Sequence, residues 1–240
     1  MQTLQNARFV STLCVTLLAL CGAAAQAQTL LDHNRAMSGN ATPGDAPGYP
    51  ITLSQPGHYV LKSNLSVPDG LSGIVIQTEG VTLDLNGFTI KGSRSCSFNG
   101  SNFTVGCSTA GGLYGITSNY SSIVRNGFIS GFHYGVYMSG GLAEALTVRH
   151  NNIGILSTNN SATRITGVLA ELSSVAGIFV DVSALVDNVV ASLNTIGIDA
   201  TNATIRDSAV TYNNIGIRSG ATRATRIAYN KSDVVGTSAY

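Results

Sequence analysis

The chain has 240 residues, of which only 10% are charged, and its 13 Lys and Arg nearly balance its 12 Asp and Glu at a formal net charge of +1. That balance excludes the broad electrostatic footprint of a nucleic-acid binder. Trp is absent, Pro numbers 5 and Gly 27, a composition suited to short strands and tight turns and poorly suited to long helices.

In chain order, residues 1–27 read as a secretory signal. Arg8 supplies a positive start, Phe9 to Leu20 an apolar run, and Ala25-Gln26-Ala27 a small-x-small cleavage site. Leu18-Ala19-Leu20-Cys21 has the outline of a lipoprotein box, but Leu20 stands where such a box wants a small residue, so ordinary cleavage is preferred to lipidation at Cys21. No later stretch approaches the ~18 consecutive apolar residues of a membrane span. The expectation is a secreted or periplasmic protein with no membrane span.

Residues 28–56 are expected to cap the first turn of the fold, residues 57–236 to form its body, and residues 237–240 to be a short tail. Cys96 and Cys107 remain after signal removal as one even pair, closing a loop rich in Ser, Asn and Gly. They are expected to form a disulfide staple, since a metal or redox pair would need CxxC spacing or neighbouring His ligands. No metal site and no nucleotide or organic cofactor is signalled.

The second half carries a Gly-aliphatic pair at Gly115-Ile116, Gly135-Val136, Gly154-Ile155, Gly177-Ile178, Gly197-Ile198 and Gly216-Ile217, at intervals of 20, 19, 23, 20 and 19 residues. This is one supersecondary unit repeated. Residues 184–198 lie on residues 203–217 without a gap, and within that register the aliphatics fall into short alternating runs, giving about three short strands per repeat. Stacking such repeats sets like strands side by side at ~4.8 Å and places inward Ile, Val and Leu in columns. An all-β parallel β-helix follows. Asn151, Asn194 and Asn213, each three residues before the Gly, are expected to adopt left-handed turns and form an internal ladder, with Asn230 continuing it and Phe132 and Ser174 interrupting it.

With these repeats the chain resembles the right-handed parallel β-helix, pectate-lyase-like superfamily of secreted bacterial proteins, over roughly residues 57–236. Gly57 to Leu61 and Gly80 to Gly92 are similar to the first coils common there. The right-handedness is what the resemblance implies. That superfamily includes lyases, hydrolases, epimerases, adhesins and proteins without activity, so the fold alone does not select a function. Its polygalacturonase elements (NTD, DD, GHG, RxK) and its epimerase element YGFDPH do not occur; Gly131-Phe132-His133 lacks the second Gly. The acidic residues are too scattered for a calcium cluster.

Alternation from each Gly-aliphatic pair predicts an outward column of Thr117, Tyr137, Leu156, Phe179, Asp199 and Arg218, and a second of Asn119, Ser139, Thr158, Asp181, Thr201 and Gly220. Asp181 and Asp199 would then lie ~8 Å apart, within the window of an inverting glycosidase pair. Tyr137 and Phe179 are placed to stack sugar rings and Arg218 to hold a uronate. The simpler reading of Asp199 and Arg218, as of Asp187 and Arg206, is a cross-coil ion pair. His133 and His150 have no carboxylate spaced to orient them and are read as turn residues.

A loop over Ser93–Gly111 folded onto the first outward column would add Phe98 and Phe103 to a glycan cleft. The leading expectation is therefore a non-catalytic carbohydrate-binding or surface-interaction module with a polysaccharide or glycan partner. The alternatives are a polysaccharide hydrolase or lyase using Asp181 and Asp199, and a structural subunit self-associating through its C-terminal coil.

Overall fold

The computed structural model describes residues 28–158, 162–181, 183–201, 203–219 and 221–235, so the signal, the lipoprotein box and the tail lie outside the described residues. The protein is a nearly all-β parallel solenoid of about eight turns. Each turn visits three faces. The first face stacks Thr29–Leu31, Gly57–Leu61, Val81–Asp84, the start of Ser122–Ser130 and of Gly141–Arg149, Thr163–Thr166, Ala184–Asp187, Thr204–Arg206 and Ala221–Arg223. The second face runs from Leu65–Ser66 and Thr89–Lys91 through Leu169–Glu171, Val190–Ser192 and Ala209–Thr211 to Arg226–Ala228. The third runs Ile51–Leu53, Ile74–Ile76, Tyr114–Ser118, Tyr134–Met138, Ile153–Ser157, Ala176–Val180, Ile196–Ala200, Ile215–Arg218 and Ser232–Val235.

Period-two alternation makes these strands. Val81 and Leu83 are buried between partly exposed Thr82 and Asp84, and in-register stacking converts each inward position into an aliphatic column. Ile116, Val136, Ile155, Ile178, Ile198 and Ile217 form one such column, every member fully buried. Two turns depart from the three-strand expectation. Ser122–Ser130 and Gly141–Arg149 are single nine-residue strands that bend around the first corner at left-handed Asn126 (φ 60°) and Ala145 (φ 50°).

The repeated glycine has a steric cause. A Cβ built on Gly135 would meet Gly154 O at 2.5 Å and the Asn151 amide nitrogen at 2.9 Å; on Gly197 it would meet Gly216 O at 2.6 Å and Val210 Cγ1 at 2.5 Å. Successive backbones approach too closely here for any side chain.

The asparagine ladder is present, with two corrections. The left-handed residue is the one before each Asn, namely His150, Leu193, Tyr212 and Tyr229 (φ 56° to 59°), because the Asn side chain turns inward to serve the neighbouring rung. Asn194 N donates to Asn213 Oδ1 at 2.9 Å and Asn213 N to Asn230 Oδ1 at 2.8 Å, so Asn230 continues the series. The break falls at Ser173, not Ser174. The 23-residue turn carries an extra residue between its left-handed Leu172 and Gly177, and Ser173 N donates the ladder bond to Asn194 Oδ1. Ser173 Oγ cannot reciprocate, and Asn151 Nδ2 and Ser173 Oγ are both left buried without a partner.

At the start, residues 28–56 supply strands to the first and third faces and a short helix, His33–Ser38, whose Ala36 joins the core. Asp32 accepts from Arg35 N at 2.8 Å as its N-cap, and Gly39 (φ 69°) ends it. Cys96 and Cys107 form the expected disulfide, as directly opposed residues of an antiparallel hairpin, Cys96–Asn99 with Thr104–Cys107. Among the described residues no helix is long and apolar enough to cross a membrane.

Two substitutions test this stacking. Gly197→Ala should destabilise by about 1–3 kcal/mol through overpacking against the next rung, while Ser173→Asn should raise the thermal midpoint by giving Asn151 the partner it lacks, about 1 kcal/mol per new bond. Thermal unfolding followed by circular dichroism measures both, and a neutral Gly197→Ala would contradict the close approach.

Candidate functional site

The third face carries the outward column in the expected register. Thr117 lies beside Tyr137, Tyr137 beside Leu156, Leu156 beside Phe179, Phe179 beside Asp199, and Asp199 beside Arg218. Of the second predicted column, Asn119, Asp181 and Thr201 are exposed, with Asp181 N donating to Ser157 O and Thr201 N to Val180 O, whereas Ser139 is buried; Gly220 lies outside the described residues.

In the first two of these rungs the residue before the glycine, Tyr114 and Tyr134, is partly exposed beside the outward column, which alternation from the Gly-aliphatic pair did not anticipate. Tyr114 and Tyr134 therefore stack in register, ring centroids 5.4 Å apart and 22° from coplanar. Tyr137 closes on Tyr114 at 5.6 Å, and His133 sits edge-on to Tyr134 at 4.4 Å. The Tyr137 hydroxyl shares a hydrogen bond with Thr158 Oγ1 at 3.1 Å. Burial, then the neighbouring Tyr134 and Tyr137, push the Tyr114 phenol up, so it is a protonated donor at neutral pH. The signal for this cluster was in the sequence: Tyr114 and Tyr134 are 20 residues apart at one repeat position.

The disulfide loop is seated elsewhere. Cys96 N donates to His150 Nδ1 at 3.1 Å, Arg94 N to Gly131 O at 3.0 Å, and Gly111 N to Asp69 Oδ1, which fixes the hairpin on the corner between the second and third faces. Phe98 and Phe103 pack edge-on against each other at 5.8 Å. The Gly111 amide and the Ser93 hydroxyl hold the Asp69 carboxyl below its usual range. Burial, followed by Arg149, lowers the His150 pKa, and burial followed by Arg94 lowers that of His133, so both are neutral hydrogen-bonding rings near pH 7.

The two candidate acids differ. Asp181 is exposed, whereas the Asp199 side chain is 8% exposed and its carboxylate is clamped by the Arg218 guanidinium one rung away. The hydrogen bond from Arg218 to Asp199 raises the arginine's pKa. A carboxylate engaged by a guanidinium in this way suits an ion pair across rungs. Among the described residues no group of three or more His, Cys, Asp or Glu is arranged to hold a metal ion.

The first face bears a charge ladder. Arg125 Nε meets Asp84 at 3.0 Å, and Asp187 receives Arg164 at 2.9 Å and Arg206 at 3.1 Å. Burial pushes the Asp187 carboxyl up, but hydrogen bonds from Thr166, Arg206 and Arg164 outweigh it and leave its pKa lowered. No family model matches this chain, and the curated proteins and solved structures give no match to it either.

A carboxyl lowered on folding stabilises above its unfolded pKa of about 3.9 and loses that contribution as pH falls through the folded value. The protein should therefore lose stability below about pH 4, and Asp187→Asn should be less stable at pH 7 yet show a shallower acid decline. Thermal midpoints of both proteins between pH 2.5 and 7 check this; parallel curves would contradict it.

Proposed function

We propose that the protein is a secreted, non-catalytic glycan-binding module of the pectate-lyase-like type, using its third face as the binding platform. The observation that carries this reading is the outward stripe in which Tyr114, Tyr134 and Tyr137 cluster and then continue through Leu156 to Phe179. Tyr137 and Phe179 stand two rungs apart, roughly 10 Å at the strand spacing. Both are partly exposed, on a rigid backbone that costs little to order. Aromatic rings receive the apolar faces of sugars, and the Tyr and Thr158 hydroxyls can bond their edges.

Export is supported by the Cys96–Cys107 disulfide, since such bonds persist in oxidising compartments. Binding is favoured over hydrolysis because Asp199 is committed to Arg218.

A glycan array probed with residues 28–240 should yield binders whose affinity falls roughly tenfold in Tyr137→Ala and in Phe179→Ala, the loss of about 1.4 kcal/mol expected of a stacking ring. Asp181→Asn should bind as the parent does, with no new reducing ends released from any hit. Reducing ends that vanish in Asp181→Asn would instead make the protein a glycosidase.

A further inference from the structure

The outward column of the first face runs Asp84, Arg125, Glu144, Thr166, Asp187, Arg206 and Arg223 in register. No like charges are neighbours until the last step, where Arg206 lies directly beside Arg223. Side-by-side like charges in a sheet are unfavourable, so this juxtaposition needs a counter-charge. The chain supplies little. Asp187 is shared between Arg164 and Arg206, Asp207 reaches Arg206 only at 4.0 Å and is 65% exposed, and among the described residues no carboxylate pairs with Arg223.

Beside Arg164 and Arg223 the first face is hollowed. An open groove of about 550 Å³ has Gly141, Thr163, Arg164, Ala184, Leu185 and Thr204 among its lining residues. It meets a second hollow of about 380 Å³ at Thr204, where Ala221, Thr222 and Arg223 continue the lining. Small side chains make the floor, and arginines stand at both ends. Arg164 and Arg223 are separated by three rungs, about 14 Å at the strand spacing.

We infer that this groove binds a phosphomonoester-bearing linear polymer, laid along the stack with a phosphate bridging Arg206 and Arg223. A phosphomonoester carries about −1.5 to −2 charges at pH 7 and offers three acceptor oxygens, which matches two adjacent guanidiniums with Thr204 two residues before Arg206 on the same outward side of its strand. A single carboxylate would leave the pair undercompensated. The groove supplies the surface that a free anion would not use. This site is on a different face from the tyrosine cluster and stands or falls independently of it.

The test is calorimetric titration of residues 28–240 at low ionic strength with dextran phosphate, unmodified dextran, inorganic phosphate, and phosphatidic acid in phosphatidylcholine vesicles. Dextran phosphate should bind about tenfold or more tightly, per phosphate, than inorganic phosphate, and Arg223→Gln should weaken it about tenfold. Binding should strengthen between pH 5 and 7 as the phosphate takes its second charge, near pH 6. Without ligand, Arg223→Gln should melt higher than the parent, because the Arg206–Arg223 repulsion is gone. Equal affinity for inorganic and polymer phosphate, preference for the vesicles, equal binding of unmodified dextran, or undiminished binding by Arg223→Gln would each overturn the proposal.

Discussion

Everything in this solenoid depends on how closely one rung can lie on the next. At the second corner the chain turns through a left-handed residue, which costs a non-glycine side chain about 1–2 kcal/mol, and it does so at His150, Leu172, Leu193, Tyr212 and Tyr229. The cost is offset by what the turn achieves. It points Asn194 and Asn213 inward, where each receives an amide from the preceding rung through Oδ1 and donates Nδ2 to a strand carbonyl. The glycine of the preceding rung, Gly177 under Asn194 and Gly197 under Asn213, passes beneath that amide, and no larger residue fits. Asparagine and glycine are thus two halves of a single packing requirement, which is why they recur together.

The functional surface inherits its order from that requirement. Because rung is locked on rung, a side chain's position in the repeat fixes its place on a face. Tyr114 and Tyr134 stack because they occupy one repeat position in adjacent turns. Asp199 and Arg218 pair for the same reason, and Arg206 and Arg223 are forced together for the same reason again. A solenoid therefore writes its sequence onto its surface as straight columns, and charge, ring or groove along a column becomes a linear feature suited to linear ligands.

Much of this was legible before any coordinates. The Gly-aliphatic pairs marked the rungs, and simple alternation placed Tyr137, Phe179, Asp199 and Arg218 in one outward column. Alternation failed where the backbone is not a plain strand: at the glycine itself, so that Tyr114 and Tyr134 were not recognised as outward neighbours, and at the 23-residue turn, where an inserted residue moved Ser173 into the ladder. The seat of the disulfide hairpin was illegible because it depends on contacts such as Cys96 with His150, 54 residues apart, that no local pattern records. The corner bends that merge two faces at Asn126 and Ala145 were likewise set by neighbouring rungs and not by local propensity.

Native-state hydrogen exchange at the second corner tests the central claim most directly. Amides in turns normally exchange fast, whereas those of Phe132, Ser173, Asn194 and Asn213 are bonded to a ladder Oδ1 of the next rung. If the ladder holds the stack, these four amides exchange as slowly as the core amides of Ile155 and Ile198, opening only with the rungs themselves. Exchange at ordinary turn rates, with the strands still protected, would show that the strands stack without the ladder.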